Sequence, residues 1–204
     1  TLAQARKVYK SYGLGDNPDG TINGKPIYFV RYAETFLNLG IPDAKKTFKK
    51  NGQLLKDLND KMLRIAISAK RAKDKSAKEE FTRMYIGLMR HLLDQGFAAG
   101  SGQGTLHHLG YSMRNFYTGP VIMQEELREA GLADQVQQAM EWFSGVGEIK
   151  KKPSERGMDI DAFNTSLMGR VASILMLEDT PYKHAYMQAL SRWIDNGLKH
   201  TEGL

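Results

Sequence analysis

Apolar residues recur at spacings of three and four along most of this chain, and that period commits it to helices. Leu54, Leu58, Met62, Ile65 and Ala66 make one stripe, and Phe81, Met84, Tyr85, Leu88 and Leu92 make the next. Between them, Ser76-Ala77-Lys78-Glu79 reads as a capping box, in which the hydroxyl bonds the amide three residues on while Glu79 reaches back. The spacing thus predicts two antiparallel helices that meet at a short turn near Asp74. Further stripes are Val136, Ala139, Met140 and Phe143, then Phe163, Leu167, Val171, Ile174 and Leu175. A last helix is expected with Thr180 as its cap and Pro181 at its first position, where a missing N–H costs nothing. Its buried face would be Tyr186, Leu190, Trp193 and Ile194.

Two segments break the period. Residues 13 to 26 form a loop rich in Gly, Asn and Asp, with a short extended piece expected over Ile27 to Val30. Residues 145 to 157 form another, with Lys150, Lys151, Lys152 and Pro153 at its centre. The fold class is therefore all-α, built from antiparallel helical hairpins. Each hairpin needs a neighbour to cover its apolar face, and a bundle, a solenoid and a toroid all satisfy that need.

With 204 residues, 41% of them apolar and 25% charged, the chain suits one domain with a sizeable core or part of a larger one. No apolar run approaches the ~20 residues that cross a bilayer. There is no cysteine, so disulfides and cysteine metal sites are excluded. The chain opens at Thr1 without an initiator Met and shows no targeting signal, which reads as a processed or excised chain. A formal charge of +6 favours polyanionic partners, namely sulfated polysaccharide, nucleic acid or an anionic membrane. Much of the excess lies in Lys45 to Lys50 and Lys61 to Lys78, and the wet face of a helix explains the second cluster as well as a ligand does.

The residues best suited to chemistry lie between Arg90 and Tyr117, RHLLDQGFAAGSGQGTLHHLGYSMRNFY. A helical run closes at Gly96, and a glycine-rich loop delivers His107 and His108 to an aromatic, arginine-bearing segment. Glycines that free the backbone beside ionisable and aromatic side chains suit a site that admits an extended ligand. Adjacent helical side chains point about 100° apart, so both histidines serve one site only at a helix start or in a loop. Otherwise one caps a neighbouring backbone and the other faces solvent. The pair lacks the spacing of helical metal ligands, so no metal site is expected. Nor is GSGQG at 100 to 104 a phosphate loop, because it lacks the Lys-Ser/Thr ending. His91, His184 and His200 sit in helical runs without convergent partners and read as structural.

HLLDQGF, then HH-x-GYS-x-R, then an aromatic pair resembles the middle of the chondroitin sulfate ABC lyases, the broad-specificity branch of polysaccharide lyase family 8. The likeness continues more weakly through Phe163-Asn164-Thr165 and is thinner before Lys56. It implies that residues 1–204 are part of an incomplete α/α toroid, supplying its earlier hairpins. It also implies cleavage of chondroitin sulfate and dermatan sulfate by β-elimination. That reaction needs a base for the uronate C5 proton, donors or cations at the carboxylate, and an acid for the leaving 4-oxygen. Glucuronate and iduronate present that proton on opposite faces, so a second basic group across the groove is useful. A histidine with a pKa near ~6.5 suits the task.

On this resemblance His108 is the second base, used mainly for iduronate, and His107 orients it or touches substrate. Arg114 pairs with sulfate or carboxylate, Tyr111 and Tyr117 contribute to a sugar-stacking platform, and Asn164 helps neutralise the uronate. Asn is also a favoured helix cap, which is the plainer reading of Asn164. The chain departs from the family where Leu109, Asn115 and Phe116 stand in place of Trp, so the stacking surface is smaller or shifted. The family's main catalytic His, Tyr, Arg and Glu are expected beyond Leu204, so the isolated chain is expected to be inactive. No cofactor is implied, with a divalent cation in the parent enzyme left open. The implied partners are sulfated glycosaminoglycan and the remaining domains of the parent chain, not nucleic acid or membrane, and the implied location is periplasmic or secreted. A toroid cut partway would leave an apolar face uncovered around Trp193.

A different class stands beside this one: a non-catalytic α-helical polyanion-binding module that uses Lys45 to Lys78. Affinity that follows charge density alone would mark that module. A helical scaffold for protein partners has no positive signal beyond the amphipathic helices.

Overall fold

A computed structural model describes residues 1–12, 43–96, 107–144, 160–177, 179 and 181–201. Among these the chain forms α1 (Leu2–Ser11), α2 (Ala44–Arg71), α3 (Lys75–Gly96), α4 (His107–Ile122), α5 (Gln124–Glu129), α6 (Ala133–Ser144), α7 (Ile160–Met176) and α8 (Pro181–Thr201), with no strand among the described residues. The fold is all-α. The expected loops at 13–26 and 145–157, the extended piece at 27–30 and Thr180 lie outside the described residues.

The two apolar stripes of α2 and α3 do what their spacing predicts. Leu58, Met62, Ile65 and Ala66 face Phe81, Met84, Tyr85, Leu88 and Leu92 in one core, with Leu54 at its edge. Burial of each such large side chain stabilises the fold by about 1.5–3 kcal/mol, and this outweighs the polar links on the surface. One of those links is the exposed Arg6–Glu80 pair, at 2.6 and 2.7 Å, which joins α1 to α3. The turn after α2 is short, but its cap is not the Ser76–Glu79 box. Asp74 Oδ1 accepts the Ala77 amide at 2.7 Å, and the Asp74 carbonyl accepts Lys78 N–H at 3.0 Å. The helix thus begins before Ser76 reaches a capping position.

α4 is the middle of the arrangement, packed on α2 along one side and on α7 along another. After it, α5 closes in a Schellman motif. Gly131 takes φ +70°, its N–H reaches the Arg128 carbonyl at 3.0 Å, and Leu132 N–H reaches the Leu127 carbonyl at 2.9 Å. Leu127 and Leu132 are both buried, which supplies the motif's apolar contact.

α7 forms a helix as expected, and Ile174 and Leu167 of its expected stripe pack inward, but the inward face is rotated from the rest of that stripe. Val171 and Leu175 are 38% and 52% exposed, whereas Ala172, Ser173, Ile174 and Met176 are buried. α7 meets α4, α6 and α8, so several of its sides are buried, and small residues such as Ala172 and Ser173 admit close neighbours there. Gln137 Nε2 donates to the Ser173 carbonyl at 2.8 Å in the α6–α7 contact. Pro181 opens α8, and Tyr186, Leu190 and Trp193 form a second, smaller core with Ile174. The Trp193 ring is therefore covered, and the apolar surface that this hairpin leaves open lies instead at Met168, Val171, Leu175 and Met187. The Arg170 guanidinium lies 3.9 Å from its centroid, a cation–π stack inside the α7–α8 contact.

Candidate functional site

Helix α4 carries five of the residues singled out in the sequence. His107 and His108 stand in its first described turn, followed by Tyr111, Arg114 and Tyr117. Positions 107, 111 and 114 are four and three residues apart, so they share one side of the helix. Position 108 lies about 100° away, on the side of position 115. The side chains of His107, His108, Tyr111 and Arg114, and the expected glycine-rich loop before them, lie outside the described residues.

The inner side of α4 is described from Asn115 onward. Phe116 and Tyr117 are each 2% exposed and meet edge to face, with centroids 5.9 Å apart and planes at 64°. Phe116 is a core residue. Tyr117 shares that core, a position that favours backing the helix over stacking on a sugar. The aromatic pair thus fixes how α4 is rotated.

One link escaped sequence reasoning. Asn115 Nδ2 donates to Asp60 Oδ1, tying α4 to α2 from the position directly after Arg114. The partners are 55 residues apart, and no local pattern announces such a bond. Asn115 occupies one of the three positions where the resembled family carries Trp, so here a polar tie to α2 stands in place of that ring.

Asn164 belongs to α7, which packs against α4. As described, α7 begins at Ile160, so Asn164 lies a turn inside the helix and is not its cap. Its side chain lies outside the described residues. Among the other histidines, His184 Nε2 lies 3.1 Å from Asp179 Oδ1 at the surface, His91 is half-buried in α3, and the His200 side chain is outside the described residues.

The basic stretch is only partly available to a ligand. Lys70 Nζ bonds both Glu126 carboxylate oxygens, at 2.6 and 2.9 Å, and Lys75 lies 3.9 Å from Glu79. Lys61 and Arg64 are exposed, and the side chains of Lys45, Lys49 and Lys50 are outside the described residues. Among the described residues no three His, Cys, Asp or Glu side chains converge as metal ligands, and no helix is long and apolar enough to cross a membrane.

Comparison with known proteins gives this arrangement a context. The chain is 37% identical over 208 residues to a chondroitin sulfate ABC exolyase of Bacteroides thetaiotaomicron, an alignment covering 100% of this chain and 20% of that protein. It is 34% identical over 128 residues to a chondroitin sulfate ABC endolyase of Proteus vulgaris, covering 62% of this chain and 12% of that one. A chondroitin sulfate ABC exolyase of Proteus vulgaris is 27% identical over 208 residues, covering 97% of this chain and 20% of the exolyase. The chain thus spans at most a fifth of the length of these relatives. The family model described as "Lyase, catalytic" matches residues 1–204 from end to end, and the chain belongs to that family.

Proposed function

We propose that this chain is part of a polysaccharide lyase that depolymerises chondroitin sulfate and dermatan sulfate, and that α4 forms one wall of its substrate groove. The end-to-end match to the lyase family carries the reading, and the resemblance around the two histidines gives it its chemistry. The reaction is a β-elimination. A base takes the uronate C5 proton, the released electron pair forms the C4–C5 double bond, the C4–O bond breaks, and the leaving oxygen gains a proton. Arg114 and Asn164 stabilise charge that builds at the uronate carboxylate, where fixed donors act without reorganising. Tyr111 offers a ring to the sugar, with Tyr117 behind it in the core. His108 takes the C5 proton of the iduronate epimer, and His107 orients it or touches substrate.

The rest of the reading follows from the family. Residues 1–204 form part of an α/α toroid, the other catalytic groups come from the remaining domains of the parent protein, and the polymer is met in the periplasm or outside the cell. No cofactor is invoked for the elimination.

Substituting His108→Ala in the full-length protein tests the assignment. Dermatan cleavage should be lost and chondroitin cleavage retained, because glucuronate presents its proton to the opposite wall. Equal loss on both polymers, or on neither, would sink it. The polyanion-binding rival instead requires that the full-length protein cleave neither polymer and bind each in proportion to charge.

A further inference from the structure

A groove of about 430 Å³ runs between α1 and α2, away from the histidine-bearing helix. Its floor is apolar: Ala5, Ile65 and Phe81 are 5%, 3% and 7% exposed. Three exposed cations rise beside that floor, Lys7 from α1 and Lys61 and Arg64 from α2, and no carboxylate is among the described lining residues. Lys61 is held in place, with Nζ 3.4 Å from the Tyr12 hydroxyl and 5.5 Å from the ring centroid. The nearby carboxylates have other bonds. Glu80 is taken by Arg6, and Asp57, one turn before Lys61, accepts from Gln53 at 3.1 Å.

Cations on both walls of an apolar channel suit an extended polymer that alternates anionic groups with the apolar faces of sugar rings. A single-stranded nucleic acid suits it less, because base stacking needs an open aromatic face and Phe81 is sunk in the floor. We infer that this groove is a second binding site for an acidic polysaccharide, separate from the α4 wall. The choice of polymer rests on the proposed lyase reading; the charge and shape of the groove do not. α2 packs on α4 and also lines the groove, so the two lie within about one helix diameter, roughly 10 Å, of each other. A long chain bridges both and a short one reaches only the first, which makes the second contact intramolecular for polymers alone.

The test compares the full-length protein with its K7E/R64E variant, leaving Lys61 and its Tyr12 contact in place. Binding of fluorescent chondroitin sulfate is measured for a chain of about 20 sugars and for a tetrasaccharide, beside cleavage kinetics on both. The long chain should bind about tenfold more weakly, as expected when rim charges reverse. Its KM should rise by a similar factor with kcat unchanged, the tetrasaccharide should be unaffected, and the K7R/R64K variant should retain parental affinity. Long-chain affinity within twofold of the parent overturns the inference. So does an equal loss on the tetrasaccharide, which would place the damage at the main groove. A lowered melting temperature with unchanged polysaccharide affinity also overturns it, because the groove would then hold a segment of the protein itself. Binding needs no turnover. Failure to cleave either polymer, with the length-dependent affinity loss intact, removes the lyase reading and leaves the groove standing.

Discussion

The Tyr85 hydroxyl of α3 lies under Gly119 of α4, 2.8 Å from the place a Cβ would occupy there. Tyr85 is fully buried, and its hydroxyl has no hydrogen-bond partner among the described residues. Gly119→Ala therefore drives a methyl group into a ring that has nowhere to move, at a cost of about 1–3 kcal/mol. With Phe at position 85 the oxygen is gone, and the nearest ring carbons stand 3.5 and 3.6 Å away, in ordinary contact. In that background G119A should be neutral, or stabilising by up to about 1 kcal/mol from helix propensity. A double-mutant cycle by urea denaturation reads the difference. Equal cost in both backgrounds would mean that the hydroxyl is not what keeps position 119 small.

The same buried tyrosines set an alkaline limit on stability. Burial first, and the Asp57 charge second, push the Tyr12 phenol up to about 12 from its usual value near 10. Burial, then the Glu126 charge, push Tyr85 up as well. Between pH 10 and 12 the unfolded chain has released a phenol proton that the folded chain still holds. Because the folded state binds more protons there, stability falls as pH rises through that window and is fully present below it. Melting temperatures should be flat from pH 8 to about 10 and decline above. Tyr85→Phe should flatten the decline; an unchanged slope in that variant would assign the loss to other groups.

Helical period and core stripes were readable in α2, α3 and α8 because those helices bury a single face, which spacing reveals directly. The other features needed partners the sequence does not display. Ser76 and Glu79 satisfy the capping pattern, yet Asp74 lies two residues nearer the end of α2 and reaches Ala77 first. α7 has contacts on several sides, so its period predicted a helix without predicting which face is inward. Ala172 and Ser173 are buried, while Val171 and Leu175 remain outside. The histidine-bearing helix was visible as a motif. The burial of Tyr117 was not, because adjacent aromatics reveal their side of a helix only once its rotation is fixed.

Rotation of α4 is set by the burial of its aromatic pair and by the bond from Asn115 to Asp60. Both members of that bond are half-buried, so Asn115→Leu deprives Asp60 of a donor in partial shelter from water, at about 1–3 kcal/mol. The consequence should extend beyond stability, because Arg114 is the preceding residue on the same helix. If Arg114 binds substrate as proposed, a displaced α4 raises KM for both polymers several-fold while kcat falls less. The exchanged pair, D60N/N115D, restores donor and acceptor across the same contact and should recover most of the lost KM. Steady-state kinetics of the three full-length proteins, run beside their melting temperatures, separate the two effects. A destabilised N115L protein with parental KM would confine the Asp60–Asn115 bond to folding and leave the placement of Arg114 to the aromatic pair alone.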